Sequence, residues 1–409
     1  MKIAIIGAGA AGCFAAANIP YQEGREVVLF EKTGKALQKV LVSGGGRCNV
    51  THACYDVNEL SGKYPRGKQL LRKTLHHFGP QDTIDWFGDR GLDIKAEADG
   101  RMFPVTNNSQ SIIDEIWREL QRQRVQVYFH KAATGISREA DGRIRLQFAD
   151  GSNYIADKVL VAAGGYPKKE QYAWLQNTGH QVLEPVPSLF TFNLPGHPIT
   201  QLMGLASEVG LKIAGTKFTE QGPLLITHWG FSGPAVLRCS AWAARALQEK
   251  NYQFTVLINW LKDATDEDFK EQLVYLRREE GKQLLLQRNP FGLPRRLWEH
   301  FMERLGIGET MRWGDLPAAQ QNKLAETLLR DNYTVKGKTT FKEEFVTCGG
   351  IALPELNPQT MESRLFPGLY FAGEITDVDG ITGGFNFQNA WTGAWLAAKA
   401  IAETGDMRQ

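Results

Sequence analysis

The sequence predicts an α/β fold in which a parallel sheet with an attached β-meander is interrupted by an inserted β-rich and helical region. Three observations predict it. The chain opens on strand, glycine turn, helix and strand; short apolar strands ending in glycine recur at residues 158–165 and 368–373; and the texture changes at prolines 185, 187, 195 and 198.

The opening comes first. Lys2-Ile-Ala-Ile-Ile6 has the length and apolar character of a buried strand, Gly7-Ala-Gly9-Ala-Ala-Gly12 follows it, and an alanine-rich helix runs to Asn18. Val27-Val-Leu-Phe30 is a second buried strand that ends on Glu31, at the distance a dinucleotide fingerprint requires. Gly7 turns the chain, Gly9 lets backbone approach a pyrophosphate, and Gly12 lets helix pack close to strand. The first-turn N–H groups around Ala10 and Ala11 receive the pyrophosphate, and Glu31 accepts from ribose hydroxyls. This is the start of a Rossmann-like domain.

Next comes Lys39-Val-Leu-Val-Ser43-Gly-Gly-Gly-Arg47-Cys-Asn49, which reads as a loop. Three glycines let it bend around a bulky ligand, and Arg47 and Asn49 add specific donors. Lys63, Arg66, Lys68, Arg72 and Lys73 then form a basic run with no acid between Ser61 and Gln81. It is either a solvated helix face or a surface that attracts an anionic substrate, a nucleotide or a nucleic-acid backbone.

Asp82 to Gly91 reads as helix, and Ser109 as the N-cap of an amphipathic helix through Gln123. Val125–Phe129, Ile144–Phe148 and the stretch from Tyr154 predict a meander that feeds the buried strand Lys158–Ala163. That strand runs into Gly164-Gly165, where ligands bind in open α/β sheets. Beyond the prolines, Leu211–Phe218, Leu224–Thr227 and Phe254–Trp260 read as strands of another sheet, with a helix starting at Pro234. Asp266 to Asn332 reads as mostly helical. The chain returns with strands at Phe345–Ile351 and Gly368–Gly373, then Glu374, and Gly383-Gly384 opens a last helix. The expected boundaries are 1–190 and 345–409 for the nucleotide domain, 191–262 and 333–344 for the β-rich insert, and 263–332 for a helical subdomain.

At 409 residues, 43% hydrophobic and 22% charged, the chain is long enough for two or three domains. No apolar run reaches the roughly 18 residues of a membrane span, and glycines break the first strand too early for a secretion signal, so a cytoplasmic protein is expected. Five cysteines without a CxxC pair indicate neither a disulfide framework nor a zinc site. The net charge of +2 gives little overall pull on nucleic acid, and 265–345 balances fourteen basic against fourteen acidic residues.

Gly7–Gly12, Ser43-Gly-Gly-Gly-Arg-Cys-Asn49, Thr227-His-Trp-Gly-Phe-Ser-Gly-Pro234, Thr347-Cys-Gly-Gly350, Gly373-Glu-Ile-Thr-Asp-Val-Asp-Gly380 and Gly383-Gly-Phe-Asn-Phe-Gln388 together resemble, in order and over nearly the whole chain, the YhiN/BaiN-like flavoprotein family. Cys348 departs from the small residue usual at its position. The resemblance implies noncovalent FAD on a Rossmann-like FAD-binding domain, with a fold similar to the fumarate-reductase side of the two-dinucleotide-binding flavoproteins. Family members are connected with reduction of a conjugated C=C bond, with dihydrouridine in ribosomal RNA, and with oxidation of small amines such as aminoacetone.

On that basis Gly7, Gly9, Ala10, Ala11, Gly12, Glu31 and Lys32 are assigned to the ADP end. Lys39, Ser43, Gly44, Gly45, Gly46, Arg47, Cys48 and Asn49 take the pyrophosphate and flavin edge, joined by Ala163, Gly164 and Gly165 at the strand end. Gly373, Glu374 and Asp377 take the ribityl side, and Gly384, Phe385 and Asn386 the ring. His228 is the first candidate proton donor, since imidazole titrates near neutrality, or else a residue that hydrogen-bonds its turn. Tyr64 and Arg101 are further catalytic candidates, the latter to hold an anionic group. With one GxGxxG unit, a nicotinamide donor, NADH or NADPH, is expected to visit the flavin transiently. The substrate is expected to be a small molecule or ribosomal RNA, with no metal and no membrane partner.

Overall fold

Five parallel strands run through the nucleotide-binding part in the spatial order Leu369–Phe371, Lys158–Val161, Lys2–Ile6, Glu26–Phe30 and Gln126–Tyr128. The first chain segment is thus central. Ile3, Ala4 and Ile5 are fully buried, the behaviour of a parallel strand covered on both faces. The edge strand Leu369–Phe371 comes from the far end of the sequence, and the helix that follows it, Phe385–Asp406, packs on the first helix, Ala10–Ala17. Phe14 of that first helix sits among Phe78, Trp86 and Trp391, with ring centroids 5.6, 4.7 and 5.0 Å away.

The computed structural model describes residues 1–339 and 346–406. They form two compact units, residues 1–188 with 346–406, and residues 189–339. Phe345, the expected first residue of a strand, and the expected domain limits at 344, 345 and 409 lie outside the described residues.

Several expectations are corrected here. Val125–Phe129 does not join the meander; Gln126–Tyr128 pairs in parallel with Val28–Phe30, and Tyr128 stacks on Phe30 at 5.8 Å. The meander is Ala133–Arg138, Ile144–Phe148 and Asn153–Ala156. Its first strand carries Gly135 and polar residues, so no clean alternation marks it. Asp157 ends the meander, accepting from Lys2 N at 2.6 Å, and Lys158 begins the parallel strand. Asn108, not Ser109, caps the helix Ser109–Arg122, its side chain accepting from Gln110 N at 2.9 Å.

The second unit is built on a seven-stranded sheet whose neighbours all pair antiparallel. Its strands start earlier than expected, at Ala206–Ile213 and Thr219–Thr227, because Gly210 and Gly222 sit inside strands rather than between them. The helices Asp266–Glu279, Arg295–Arg304 and Ala318–Leu329 share one apolar core with this sheet, including Trp260, Trp298, Phe301 and Trp313. Among the described residues no helix is long and apolar enough to cross a membrane.

One buried carboxylate organises that core. Asp331 accepts from Trp260 Nε1 at 3.1 Å, from the Tyr333 hydroxyl, and from Arg304 Nη2 at 2.9 Å. Asp331→Ala leaves two core donors without an acceptor and a half-buried guanidinium uncompensated. A loss of about 3 kcal/mol in urea denaturation is expected, while a loss below about 1 kcal/mol would show that the core relaxes around the gap.

Candidate functional site

The site begins where the first helix meets the first strand. A Cβ on Gly12 would lie 1.9 Å from the Gly7 carbonyl oxygen, so only glycine lets the helix approach this closely. The helix start has no side-chain cap and no acid in its first turn, and the space beside Gly9 is open. Its N–H groups are thus free to take an anion. Glu31 is held at the tip of the next strand: Oε2 accepts from Ala8 N at 2.9 Å, and Oε1 from Thr33 N at 2.8 Å and Thr33 Oγ1 at 2.9 Å. Oε1 is then filled by two donors, and one lone pair remains on Oε2 for a further donor. Lys32 lies over the Tyr166 ring at 5.0 Å.

The stretch from Lys39 is not loop throughout. Gln38–Gly46 starts as helix and breaks at Ser43, whose ψ of 151° is extended, followed by Gly44 and Gly45 at positive φ. Leu37 N donates to Ala8 O at 2.8 Å and ties this segment to the first turn. The Ser43 hydroxyl donates to Val40 O at 2.9 Å. Arg47 is paired with Glu97 at 2.6 Å and stacked 3.9 Å over Phe103. Burial pushes the Cys48 thiol up to about 12, so it stays protonated. Asn49 Oδ1 accepts from Met102 N at 3.2 Å.

The remaining segments converge on these two. Gly373 approaches Ala11, where an added Cβ would meet the alanine Cβ at 3.0 Å. Glu374 pairs with Lys39 at 2.7 Å and accepts from Thr347 N at 2.8 Å. Gly165 faces both Thr347 and Glu374, next to Gly164, which borders open space as Gly45 and Gly46 do. Ala163 lies just past the parallel strand that leads into this pair. Thr347 Oγ1 is buried without a hydrogen-bond partner among the described residues. Asp377 Oδ1 accepts from Gly349 N at 2.9 Å.

A latched turn completes the group. Asn386 closes it through Gly380 N at 2.8 Å and Gly380 O at 3.0 Å. His52 Nδ1 is 3.0 Å from Gly383 O, and the His52 ring stacks on Phe385 at 4.6 Å. Gly384 has φ +93°, and a Cβ there would meet Thr51 O at 2.5 Å. Behind it Arg66 forms a two-point pair with the buried Asp379, Nε donating to Oδ1 at 2.5 Å, and Ser188 Oγ donates to Asp379 Oδ2 at 2.7 Å.

Two candidate catalytic residues have other work. Tyr64 is fully buried and donates to Phe385 O at 2.7 Å, with burial raising its pKa far above neutrality, so it supports the turn. Arg101 is engaged by Asp99 at 2.7 Å and Glu97 at 3.0 Å; with Arg47 these make a charge-balanced quartet, so Arg101 is no free cation for an anionic group. His228 lies in the second unit on an exposed turn, edge-on to Trp229 at 4.3 Å. Sequence reasoning missed His52, Thr347, Arg66 and Asp379. Arg66 was hidden in a basic run, and Asp379 stood beside the chosen Asp377 with no local signal to separate them.

The residues fit FAD: an uncapped helix start, an acid at the second strand tip, glycine-bordered space along the strand ends, and an orphaned buried hydroxyl on Thr347. The HI0933-like protein Rossmann domain family matches residues 1–400. The chain belongs to this family. It is a flavin-dependent oxidoreductase. It is 31% identical over 407 residues to a ribosomal RNA dihydrouridine synthase of Escherichia coli, covering 97% of each chain. It is 29% identical over 413 residues to a 3-dehydro-bile acid delta(4,6)-reductase of Clostridium scindens, covering 98% of this chain and 99% of that protein. In fold it is similar to a flavocytochrome c3 fumarate reductase, with TM-score 0.51 and 15% identity over 98% of this chain and 78% of the other. A 3-ketosteroid delta1-dehydrogenase from Sterolibacterium denitrificans also gives TM-score 0.51, at 11% identity over 98% and 99%. Among the described residues no group of three or more His, Cys, Asp or Glu is placed to hold a metal.

Burial raises the Asp379 carboxyl to about 6, against the lowering effect of Arg66 and Ser188. A carboxyl that holds its proton more tightly when folded stabilises the fold below pH 4, and that contribution is lost as pH rises through 6. Asp379→Asn removes the dependence. Urea titrations from pH 4 to 7 should therefore show the variant gaining on wild type by about 3 kcal/mol, and parallel curves would mean that Asp379 ionises as an ordinary exposed carboxyl.

Proposed function

We propose that this protein reduces a carbon–carbon double bond conjugated to a carbonyl, taking electrons from NAD(P)H. The observation that carries this reading is the pair of full-length relatives. Their names, a delta(4,6)-reductase of a 3-dehydro bile acid and a synthase of dihydrouridine, share the addition of two hydrogens to an activated C=C bond. Bound FAD supplies hydride transfer through N5.

In this reading the chain's own residues bind, orient and protonate. The N–H groups from Gly9 to Gly12 hold the diphosphate and Glu31 the adenosine ribose. Glu374 and Asp377 would line the ribityl side, and Lys39, paired with Glu374, would lie toward the pyrophosphate. The start of the 22-residue helix Phe385–Asp406 would present its positive dipole end to the isoalloxazine, where donors would favour the reduced, anionic cofactor. The second unit is an antiparallel sheet and carries no second glycine fingerprint, which supports a nicotinamide that visits and leaves. His228, an exposed imidazole with no hydrogen-bond partner among the described residues, is the candidate proton donor to the substrate carbon.

An RNA substrate is the second reading. It is favoured by the helix Lys68–Thr74, where Lys68, Arg72 and Lys73 are exposed and have no ion-pair partner among the described residues.

Anaerobic mixing tests the proposal. NADH or NADPH should bleach the flavin band, and a conjugated enone or a uridine-containing RNA should restore it. Bleaching by small amines alone would replace the reductase with an oxidase. His228→Gln should leave bleaching by NAD(P)H unchanged and slow the return of colour by 10²-fold or more. Equal return rates would remove His228 from the chemistry.

A further inference from the structure

The basic run at residues 63–73 is divided by the fold into an anchored half and a free half. Lys63 pairs with Glu59 at 3.4 Å, and Arg66 is committed to the buried Asp379. Lys68, Arg72 and Lys73 are exposed and form no ion pair among the described residues, and the next exposed side chains are His76 and His77. The opposite side of the helix, Leu70, Leu71 and Thr74, is buried. No acid occurs between Ser61 and Gln81 to neutralise the exposed face.

This face is mounted on the latched turn. Ile381 N donates to Lys63 O at 3.0 Å, Tyr64 donates to Phe385 O at 2.7 Å, and Gly67 fits against Val378, where a Cβ would meet Cγ2 at 2.7 Å. Three rigid contacts and the Arg66–Asp379 pair therefore hold the cationic helix at a fixed offset from Gly383-Gly384. Lys68 and Lys73 are separated by about 7.5 Å along the helix axis at the α-helical rise.

We propose that the exposed face of helix Lys68–Thr74 is a docking surface for the phosphate backbone of a single-stranded segment of RNA, with Lys68, Arg72 and Lys73 contacting phosphates and the His76 and His77 rings available to stack on unpaired bases. The proposal rests on the second functional reading above and assigns the surface that serves it. Like charges at Lys68 and Arg72, one helical turn apart, cost the fold a little rather than help it, and a surface fixed to the cofactor turn gives a bound strand a set distance from the reaction. That combination favours a long anionic substrate held at several points over a small one.

The test uses the full-length FAD-loaded protein and a labelled 20-nucleotide oligouridine, followed by anisotropy between 25 and 200 mM KCl. Wild type should bind with steep salt dependence. The triple variant Lys68→Gln/Arg72→Gln/Lys73→Gln should bind at least tenfold more weakly at 50 mM KCl, and its log K against log salt slope should be shallower by about 2, from three lost contacts at about 0.7 each. Its flavin spectrum and bleaching by NAD(P)H should not change; the single variant Arg72→Gln, with a slope change near 0.7, covers a triple variant that loses flavin. Unaltered affinity and slope in the variants, or no oligouridine binding by wild type at 25 mM KCl, overturns the proposal. So does retention of wild type, but not the variant, on vesicles of phosphatidylserine and phosphatidylcholine with no oligouridine binding, which would make the partner a membrane surface. Return of flavin colour with a conjugated enone is read separately. If it fails while oligouridine binding follows the three cations, the surface stands and the reductase reading falls; the reverse pattern removes the surface alone.

Discussion

How closely the first helix approaches the end of the first strand sets the geometry of the whole nucleotide-binding unit. The approach depends on an absent side chain: any Cβ at position 12 would occupy the Gly7 carbonyl oxygen. With that contact made, the helix start lies open beside Gly9, Ala8 N reaches Glu31, and Ala8 O accepts from Leu37. Three segments of the first forty residues are joined through one turn. Gly373 approaches the same turn from the C-terminal side at Ala11, so the last strand and last helix are aligned by the contact as well.

A second constraint acts at the other end of the site. The turn from Asp379 to Asn386 is rich in glycine and has little intrinsic rigidity, and the structure supplies that rigidity from outside. Asn386 bridges its ends, Tyr64 and Lys63 hold it from the segment that precedes the helix Lys68–Thr74, His52 stacks on Phe385, and the Arg66–Asp379 pair closes the back. Ionisation of Asp379 in so dry a place is costly, and Arg66 and Ser188 offset it only in part. Such a turn is preorganised, with donors fixed before a ligand arrives and little reorganisation required on binding.

Much of this was legible in order along the chain. The strand Lys2–Ile6, the helix from Ala10 and the acid Glu31 announce themselves because each signal is local: an apolar run, glycines at set spacing, a charge at a strand end. The glycine-ended strands at 158–165 and 368–373 were readable for the same reason. What escaped depended on partners distant in sequence. Tyr64 and Arg66 look like surface residues among lysines, yet one is fully buried and the other is bonded to a residue more than 300 positions away. Arg47 and Arg101 look like free cations until Glu97 and Asp99 are placed beside them. Gln126–Tyr128 carries the same alternation whether it joins a meander or the edge of a parallel sheet; Phe30 and its neighbours decide which.

The sequence by itself determined the fold class, the position of the dinucleotide turn and the glycine segments around it, because these follow from steric limits that act within a few residues. Tertiary structure alone decided which charges are free and which are spent. Ion pairing and burial depend on contacts between distant segments, and a lysine or arginine bears the same formal charge in either state. For Arg66, Lys68, Arg72 and Lys73, neighbours in one basic run, that difference separates an internal strut from an open cationic surface.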